Sequence, residues 1–380
     1  MPSVNPAFES VGTGFAAYLA PPPEGVVRFT VGQPDFATPQ AIVDSAKAAL
    51  DQGLTAYTRS QGSVELCADV AEYLTRYDIQ VDSQDVCISP GCKQAVLYAM
   101  LATLEPGDEV ILFAPAWPSY DGMIRMLGAV PVHVPVRKDN YHPDFDELAA
   151  AITPKTKALL INSPNNPTGA VYSADEVQGL VDVAVEHDLW IYDDMIYSSL
   201  TYGGHNYTSP TIFEGGAERC LTIGGWSKGW AMTGWRLGWC AGPSEVMKAV
   251  KVAQTNAATH VPAFLMPAAQ TALSLDSEIR VMEEAFAERR ILIHGLLSEL
   301  PGVVCPEPEG AFYALADVTG TGMTDIEFAD GALAGANVQV IPGSLMKGGE
   351  GLVRFSYATS NENIIEGMKR LKTWLEGMEN

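Results

Sequence analysis

The sequence predicts an α/β fold: a large domain with a mostly parallel sheet flanked by helices, beside a smaller α+β domain. Three observations predict it. Short apolar runs alternate with longer helical patterns, a long helical stretch follows them, and short strands and a helix close the sequence. The 380 residues, 47% of them hydrophobic, are enough to bury a core in each of two packed domains.

The large domain is expected to alternate strands and helices. The strand–helix pairs are DVCIS with KQAVLYAMLATL, EVILF with PSYDGMIRML, and KALLIN with SADEVQGLVDVAVEH, followed by strands in LWIYDD and CLTIGG. This alternation favours parallel strands with helices on both faces. Ligands of such sheets lie beyond the carboxyl ends of the strands, where the loops SPGCK, APAWP, NSPNNPTG, YDDMIY and GGWSK fall. We therefore expect five loops to converge on one pocket.

The smaller domain follows a long helical stretch from Asp276 to Leu300. Strands are expected in GAFYAL, VQVIPG and VRFSYA, and a last helix from Asn363 to Glu376. We assign residues 33–275 to the large domain and residues 1–32 and 276–380 to the small one. No repeat or long polar linker interrupts the chain, so the domains are expected to pack together.

The charge of the chain excludes some classes of partner. Acidic residues outnumber basic ones 46 to 23, and a net charge of -23 repels nucleic acids and anionic membranes. The cysteines show neither CxxC pairing nor zinc-ligand spacing, so we expect reduced thiols, no disulfide framework and no metal site. No apolar stretch approaches the roughly 18 residues of a membrane span, and MPSVNPAFES does not resemble a signal peptide. A soluble, cytoplasmic protein is expected.

Lys228 is the first candidate catalytic residue. It lies in GGWSKGWAMTGWRLGW, after a predicted strand and among three tryptophans. Small and aromatic neighbours can desolvate an amine and favour its neutral, nucleophilic form, which can condense with a carbonyl cofactor. An ordinary surface lysine is the alternative reading.

Two loops have the composition of ligand-binding turns. In SPGCKQAVLYAML a glycine ends a strand and a helix begins, so the amides of Cys92 and Lys93 form a natural phosphate cup. In INSPNNPTGAVYS, prolines and a glycine fix a turn that carries asparagine side chains, although such residues are also common in plain turns. No GxGxxG follows a predicted strand, which disfavours a nicotinamide dehydrogenase.

Further candidates have the groups that a flat heteroaromatic cofactor requires. Trp117 can stack on a ring, although a core tryptophan is also expected at such a position. Asp194 can pair with a pyridinium nitrogen, and Tyr197 can bond a phenolate oxygen. Asp193 is a rival for the carboxylate role.

Two arginines are predicted to bind anions. Arg236 lies in WRLGW, which resembles a strand, and Arg354 lies in VRFSYA. Both have apolar neighbours, among which an unpaired guanidinium is costly. Internal salt bridges are the alternative.

These motifs together resemble the class I/II, fold-type I aminotransferases that depend on pyridoxal 5'-phosphate (PLP), closest to the bacterial and archaeal aspartate-type branch. The resemblance runs from VGQPDFATP to VRFSYATS, nearly the whole chain. It is carried by the linked set GLTAYT, PGDEVILFAPAWPSY, TPKTKALLINSPNNPTGAVYS, SKGWAMTGWRLG, PEGAFY and VRFSYATS. The resemblance implies transfer of an amino group from an L-amino acid, aspartate or glutamate among them, to a 2-oxo acid by a ping-pong mechanism.

The resemblance also implies a role for each matching residue. Lys228 carries PLP as a Schiff base, Asp194 pairs with the pyridine nitrogen, and Trp117 stacks on the ring. The phenolic oxygen is held by Tyr197 and Asn166, and the phosphate by Arg236 and the amides of Cys92 and Lys93. Ser227 is a further cofactor-binding residue. Arg354 takes the substrate α-carboxylate as a bidentate fork, helped by Asn166 and the backbone of Gly32. Tyr57 reaches the phosphate of the neighbouring subunit of a homodimer, and the side chain of Lys93 meets the distal carboxylate of an acidic substrate.

Two departures and three rival functions accompany this reading. Met195 stands where the family usually has an acidic residue, and residues 257–267 differ from the usual small, hydroxyl-rich stretch. A carbon–sulfur β-lyase uses nearly the same residues. A PLP-binding regulatory module is disfavoured because nothing basic or helix-turn-helix-like precedes residue 30. A dehydrogenase is weaker still.

Overall fold

The structure is a computed structural model that describes Tyr18, Ala20 and residues 23–378. Most of the predicted small-domain segment 1–32 therefore lies outside the described residues. Among those described, no helix is both long enough and apolar enough to cross a membrane.

A seven-stranded sheet forms the centre of the molecule. Its spatial order is β2-β8-β7-β6-β5-β3-β4. All neighbours are parallel except β8, which is antiparallel to both β2 and β7. The strands are Val86–Ser89 (β2), Glu109–Ala114 (β3), Val130–Pro135 (β4), Thr156–Ile161 (β5), Trp190–Asp194 (β6), Cys220–Gly225 (β7) and Gly238–Ala241 (β8). The mostly parallel sheet that the sequence predicts is confirmed.

Helices cover both faces of this sheet, as the continuous apolar runs of its strands require. They are Gln40–Asp51 (α1), Val64–Leu74 (α2), Cys92–Thr103 (α3), Pro118–Met126 (α4), Phe145–Ala151 (α5), Ala174–Glu186 (α6), Ser244–Ala257 (α7) and Met266–Leu273 (α8). Leu112 packs in one core with Tyr98 of α3. Ile111, which points to the other face of the same strand, packs with Leu180 of α6.

A second, smaller sheet lies in the C-terminal part of the chain. Its order is β11-β12-β9, all antiparallel, and its strands are Tyr313–Asp317 (β9), Ile341–Pro342 (β11) and Leu352–Ser356 (β12). It packs with three helices, Asp276–Leu297 (α9), Asp325–Ala336 (α10) and Asn361–Met378 (α11).

The segment VQVIPG forms strand structure as expected, but as two short strands that serve two sheets. Val338–Gln339 (β10) pairs in parallel with Val27–Arg28 (β1), whereas β11 joins the smaller sheet. Pro342 has no N–H to donate, so β11 cannot extend as a central strand. The β1–β10 pair attaches the segment before residue 32 to the C-terminal part. It agrees with the proposed domain division, which remains a prediction.

Arg236 does not lie on a strand, contrary to expectation. It follows a single 3-10 turn, Thr233–Trp235, and has a φ of 56°, a left-handed conformation that cannot continue a strand. Pairing resumes at Gly238, where β8 begins. Arg236 is also exposed rather than surrounded by apolar side chains.

A buried histidine joins distant segments of the chain. The ring of His142 lies 2.7 Å from Glu176 Oε2 through Nδ1 and 2.9 Å from Glu309 Oε2 through Nε2. Glu176 completes the capping box of α6, and Glu309 accepts a 2.8 Å bond from the amide of Val171. Burial alone would lower the pKa of His142, but the two carboxylates outweigh it and raise the pKa to about 9.

Candidate active site

Five loops at the carboxyl ends of the parallel strands enclose a cavity of about 380 Å³. Each loop that the sequence singles out contributes to its wall, and the segment around Thr30 and the strand β12 complete it. The candidate residues that line the cavity are Gly32, Cys92, Lys93, Trp117, Asn166, Asp194, Tyr197, Ser227, Lys228, Arg236 and Arg354. Tyr57 and Asp193, the rival for the carboxylate role, do not line it.

Lys228 lies on the turn after β7, with its side chain largely buried. Burial lowers the pKa of the amine to about 8, and the charges of Arg354 and Arg236 act in the same direction. The amine donates a hydrogen bond to the carbonyl oxygen of Gly32. With this pKa roughly a tenth of the amine is neutral at pH 7, far more than for an ordinary lysine, so Lys228 can act as a nucleophile or a base.

Asp194 ends β6 with its carboxylate buried beside the cavity. Three donors hold it: Tyr120 Oη at 2.6 Å from Oδ2, and the amide of Ile196 at 3.2 Å and Cys92 Sγ at 3.4 Å from Oδ1. Burial raises the pKa of Asp194, and these donors oppose the shift. A carboxylate fixed in this way can pair with a cationic ring nitrogen.

Asp193 points away from the cavity, since successive side chains of a strand alternate between faces. Its Oδ2 accepts a 2.5 Å hydrogen bond from Tyr207, and it does not line the cavity. Burial raises the pKa of Asp193 to about 8. The geometry therefore favours Asp194 over Asp193 as the carboxylate of the site.

An aromatic pair forms one wall. Trp117 precedes the first turn of α4, and its ring meets that of Tyr120 edge-on with centroids 5.1 Å apart. Lys93 Nζ lies 4.6 Å from the centroid of the Trp117 ring. Partial burial and the charge of Arg236 lower the pKa of Lys93. Lys93 is exposed, and its amine lies over an aromatic ring of the cavity wall.

The start of α3 and Arg236 form a cup for an anion. Gly91 precedes the helix with a φ of 92°, and the amides of Cys92 and Lys93 lie in the first turn, where no helical acceptor is available. A Cβ on Gly91 would lie 2.5 Å from Nη2 of Arg236, so the absence of a side chain lets the guanidinium approach. Helix dipole and guanidinium both favour a negative ligand.

The turn SPNNP positions Asn166 opposite Arg354. The amide nitrogen of Asn166 donates to Asn162 Oδ1 at 3.0 Å, and Asn162 Nδ2 donates to the carbonyl oxygen of Asp194 at 2.9 Å. Arg354 is buried on β12. Its guanidinium donates a 2.9 Å hydrogen bond to Asn166 Oδ1 and a 3.0 Å hydrogen bond to the carbonyl oxygen of Thr30. Its guanidinium lines the cavity, where it can receive a carboxylate.

Sequence reasoning missed Tyr120, Asn162 and Tyr313. Tyr120 follows Trp117 by three residues, the spacing that brings side chains of a helix together, so this signal could have been found. Asn162 ends the run KALLIN and looked like a strand residue. Tyr313 lies in GAFYAL, where a buried aromatic residue is expected in any core, and no local pattern distinguishes it.

Tyr57 lies on an exposed loop and is itself 90% exposed. Its ring packs edge-on against His260, with centroids 5.7 Å apart, and the amide of Thr58 donates to His260 Nε2 at 3.4 Å. The divergent segment 257–267 therefore supports the Tyr57 loop. Met195, the other departure, is buried in the core.

The groups around the cavity fit pyridoxal phosphate. The anion cup of α3 and Arg236, the buried carboxylate of Asp194 and the amine of Lys228 all face one cavity. They match the phosphate, the ring nitrogen and the carbonyl carbon of that cofactor. Fold and site together define an enzyme of the PLP-dependent transferase class.

Comparison with known proteins identifies the family. Residues 24–371 match the family described as aminotransferase class I and II, and the chain belongs to it. An aspartate aminotransferase of Streptomyces avermitilis is 40% identical, over 92% of this chain and 89% of that protein. An aromatic-amino-acid aminotransferase of Thermococcus litoralis is 38% identical, over 93% of this chain and 92% of that protein.

A solved structure agrees closely. The aspartate aminotransferase from Thermus thermophilus with maleate has a TM-score of 0.93 at 35% identity, covering 98% of this chain and all of that one. The enzyme class is therefore aminotransferase, as the sequence predicts. These names do not favour the carbon–sulfur β-lyase alternative.

Proposed function

We propose that this chain binds PLP through Lys228 and transfers the amino group of an L-amino acid to a 2-oxo acid. One observation carries the proposal: an amine with a lowered pKa lies in the same cavity as an anion cup and a buried carboxylate. Asp194 would pair with the ring nitrogen and Trp117 would stack on the ring. Tyr197 and Asn166 would hold the phenolic oxygen, and the phosphate would meet Ser227, Arg236 and the amides of Cys92 and Lys93.

The substrate carboxylate would bind to Arg354. Burial and the bonds to Asn166 and Thr30 fix the guanidinium before any ligand arrives, which lowers the entropy cost of binding. The backbone of Gly32 adds a second contact. Because every α-amino acid carries this carboxylate, the contact orients each donor alike.

The chain's own residues would move the proton. When bound, PLP supplies the carbonyl carbon and a ring that accepts electrons from the α-carbon. The neutral amine of Lys228 takes the proton from the substrate α-carbon, and a pKa of about 8, close to neutral pH, favours return of the proton. The charge on Asp194 keeps the ring nitrogen protonated.

An acidic donor, aspartate or glutamate, would meet the side chain of Lys93. Its position over the ring of Trp117, which lines the cavity, supports this, since a cation there can neutralise a distal carboxylate. The similar aspartate aminotransferase from Thermus thermophilus was solved with maleate, which is a dicarboxylate. Alternatively, Lys93 serves only the phosphate.

The active unit would be a homodimer in which Tyr57 reaches the phosphate of the neighbouring subunit. A tyrosine that is 90% exposed on a loop supported by His260 suits a residue that a partner covers. Light scattering should give twice the mass of the chain, and a fully active monomer would refute the dimer.

Two further predictions stay with the proposal. Residues 33–275 would form the large domain, and residues 1–32 with 276–380 the small one. The protein would work in the cytoplasm, since the described cysteines are all buried free thiols, which suits a reducing compartment.

Borohydride reduction tests the proposal directly. The purified protein should be yellow, and reduction should fix the cofactor on the peptide that contains Lys228. Lys228→Ala should abolish both labelling and turnover, whereas Lys248→Ala, which changes an exposed lysine, should alter neither. Label on a peptide without Lys228 would contradict the assignment.

A further inference from the structure

Two phenols meet at the floor of the cavity. Tyr197 Oη and Tyr313 Oη lie 2.9 Å apart, and both side chains are buried. Tyr197 follows β6 of the large sheet, whereas Tyr313 begins β9 of the small one. The hydrogen bond therefore joins the two sheets inside the site.

The same tyrosine also supports an arginine. The guanidinium carbon of Arg354 lies 4.7 Å from the centroid of the Tyr313 ring, a distance at which the ring face attracts a cation. Arg354 lies on β12, which pairs with β9, so the backbone fixes both partners. Tyr313 thus contacts two site residues at once: Tyr197, proposed to bond the cofactor, and Arg354, proposed to bind the substrate carboxylate.

The space for the Tyr313 hydroxyl depends on Gly32. A Cβ on Gly32 would lie 2.5 Å from Tyr313 Oη, so a side chain there would displace the phenol. Gly32 also accepts the hydrogen bond from Lys228. The hydroxyl is thereby held between the loop of Gly32 and Tyr197.

The direction of the bond follows from counting protons. A phenol has one hydroxyl proton, and in the proposed site Tyr197 donates its proton to the phenolic oxygen of the cofactor. Its oxygen is then an acceptor, and Tyr313 becomes the donor. Burial raises the pKa of Tyr313, which keeps its proton available for donation, and the charge of Arg354 opposes only part of this shift.

We propose that Tyr313 is a positioning residue: its hydroxyl orients and strengthens Tyr197 as a donor to the cofactor, and its ring holds Arg354 for the substrate carboxylate. The inference rests on the proposed function of the site. It predicts that the hydroxyl and the ring of one side chain act on different measurable properties.

The hydroxyl is tested with Tyr313→Phe in the loaded protein. The hydroxyl of Tyr197 and a proton held beside the phenolic oxygen of the cofactor compete for the negative charge of that oxygen. If loss of the Tyr313 hydroxyl weakens Tyr197 as a donor, the proton should bind more tightly, and the pH midpoint of the visible absorbance band should rise. Loss of the cooperative strengthening that Tyr313 gives to the Tyr197 bond should raise this midpoint by roughly 0.3 pH unit. Affinity for maleate, a dicarboxylate that cannot react, should stay within about twofold, because the ring remains.

The ring is tested with Tyr313→Leu. Loss of the contact with Arg354 should weaken maleate binding by roughly three- to tenfold, measured from the absorbance change. The midpoint should rise as it does in Tyr313→Phe.

Tyr202→Phe is the matched control. Tyr202 is buried near Tyr313 and donates 2.7 Å to the carbonyl oxygen of Ala311, away from the cavity. It should lose thermal stability without a change in midpoint or maleate affinity.

Four outcomes would overturn the inference. An unchanged midpoint in Tyr313→Phe, or an equal shift in Tyr202→Phe, would refute the role of the hydroxyl. Unchanged maleate affinity in Tyr313→Leu would refute the role of the ring. A wild-type protein with no cofactor absorbance would refute the proposed function itself, and the role of Tyr313 with it.

Discussion

Asp193 and Asp194 are neighbours in sequence, but their carboxylates lie on opposite sides of strand β6 and have different partners. Asp194 accepts from Tyr120, Cys92 and Ile196 beside the cavity. Asp193 accepts from Tyr207, and burial raises its pKa to about 8, so it is mostly protonated at neutral pH.

Asn substitutions should separate the two carboxylates. Asp193→Asn replaces a neutral acid by a neutral amide of the same shape, so kcat should change little at pH 7. Asp194→Asn removes a charge aimed at the cofactor and should lower kcat on the order of a hundredfold. Equal losses in the two variants would contradict the assignment of Asp194.

The pH dependence of stability provides a second measurement on Asp193. Its pKa in the folded protein lies above that of an unfolded aspartate, so its contribution is fully present below about pH 4 and is lost as the pH rises through about 8. Asp193→Asn should remove this decline. Melting temperatures of wild type and variant between pH 5 and 9 would show it.

Arg354→Ala should weaken binding of every α-amino acid while cofactor binding stays largely intact. Loss of a buried, hydrogen-bonded charge pair costs on the order of 2–5 kcal/mol. Arg354→Lys should recover only part of this, because an ammonium cannot form the planar fork. Half-reaction affinities measure the effect, and Arg76→Ala, an exposed arginine paired with Asp276, is the control. Unchanged affinities in Arg354→Ala would make Arg354 structural.

Lys93→Ala should act selectively on acidic donors. Half-reaction rates with aspartate and glutamate should fall by roughly tenfold or more, and those with alanine and phenylalanine far less, because only acidic donors carry a distal carboxylate. Lys248→Ala controls for the change in net charge. Equal loss across all donors would show that Lys93 serves the cofactor, and a wild-type enzyme that ignores both acidic donors would refute the substrate assignment.

His142→Gln should destabilise the protein at neutral and acidic pH. The pKa of about 9 in the folded protein lies above the ordinary value of 6.5, so the stabilisation is fully present below about pH 6.5 and is lost as the pH rises through 9. The charged groups that face the ring are Glu176 and Glu309, with Arg137 and His205 behind them.

Loss of the two charge-assisted bonds of His142 should lower the free energy of unfolding by about 1–3 kcal/mol at pH 6. The difference from wild type should shrink above pH 9. Denaturant titrations at pH 6 and pH 10 would measure it, with the exposed His187→Gln as control. A loss independent of pH would show that packing, not charge, is responsible.

The large sheet could be predicted from the sequence because its strands and helices have clear local patterns of apolar residues. The loops after KALLIN and LWIYDD could be placed at one edge for the same reason. The conformation of Arg236 could not be predicted, because the composition of WRLGW is typical of a strand and does not indicate a left-handed residue after a 3-10 turn. Tyr313 escaped because its partner Tyr197 lies 116 positions away, and only the tertiary fold brings the two phenols together.

The position of β12 has a consequence for how the enzyme comes into being on the ribosome. This strand follows every other described strand in sequence, yet it lies in the middle of its sheet, between β11 and β9. The seven strands of the central sheet, with Lys228 and Asp194, leave the ribosome earlier, because domains emerge from the N-terminal side first. A nascent chain can therefore assemble the amine and the carboxylate before it has the guanidinium of Arg354. The group that we propose for the substrate carboxylate is therefore translated after the groups that we propose for the cofactor.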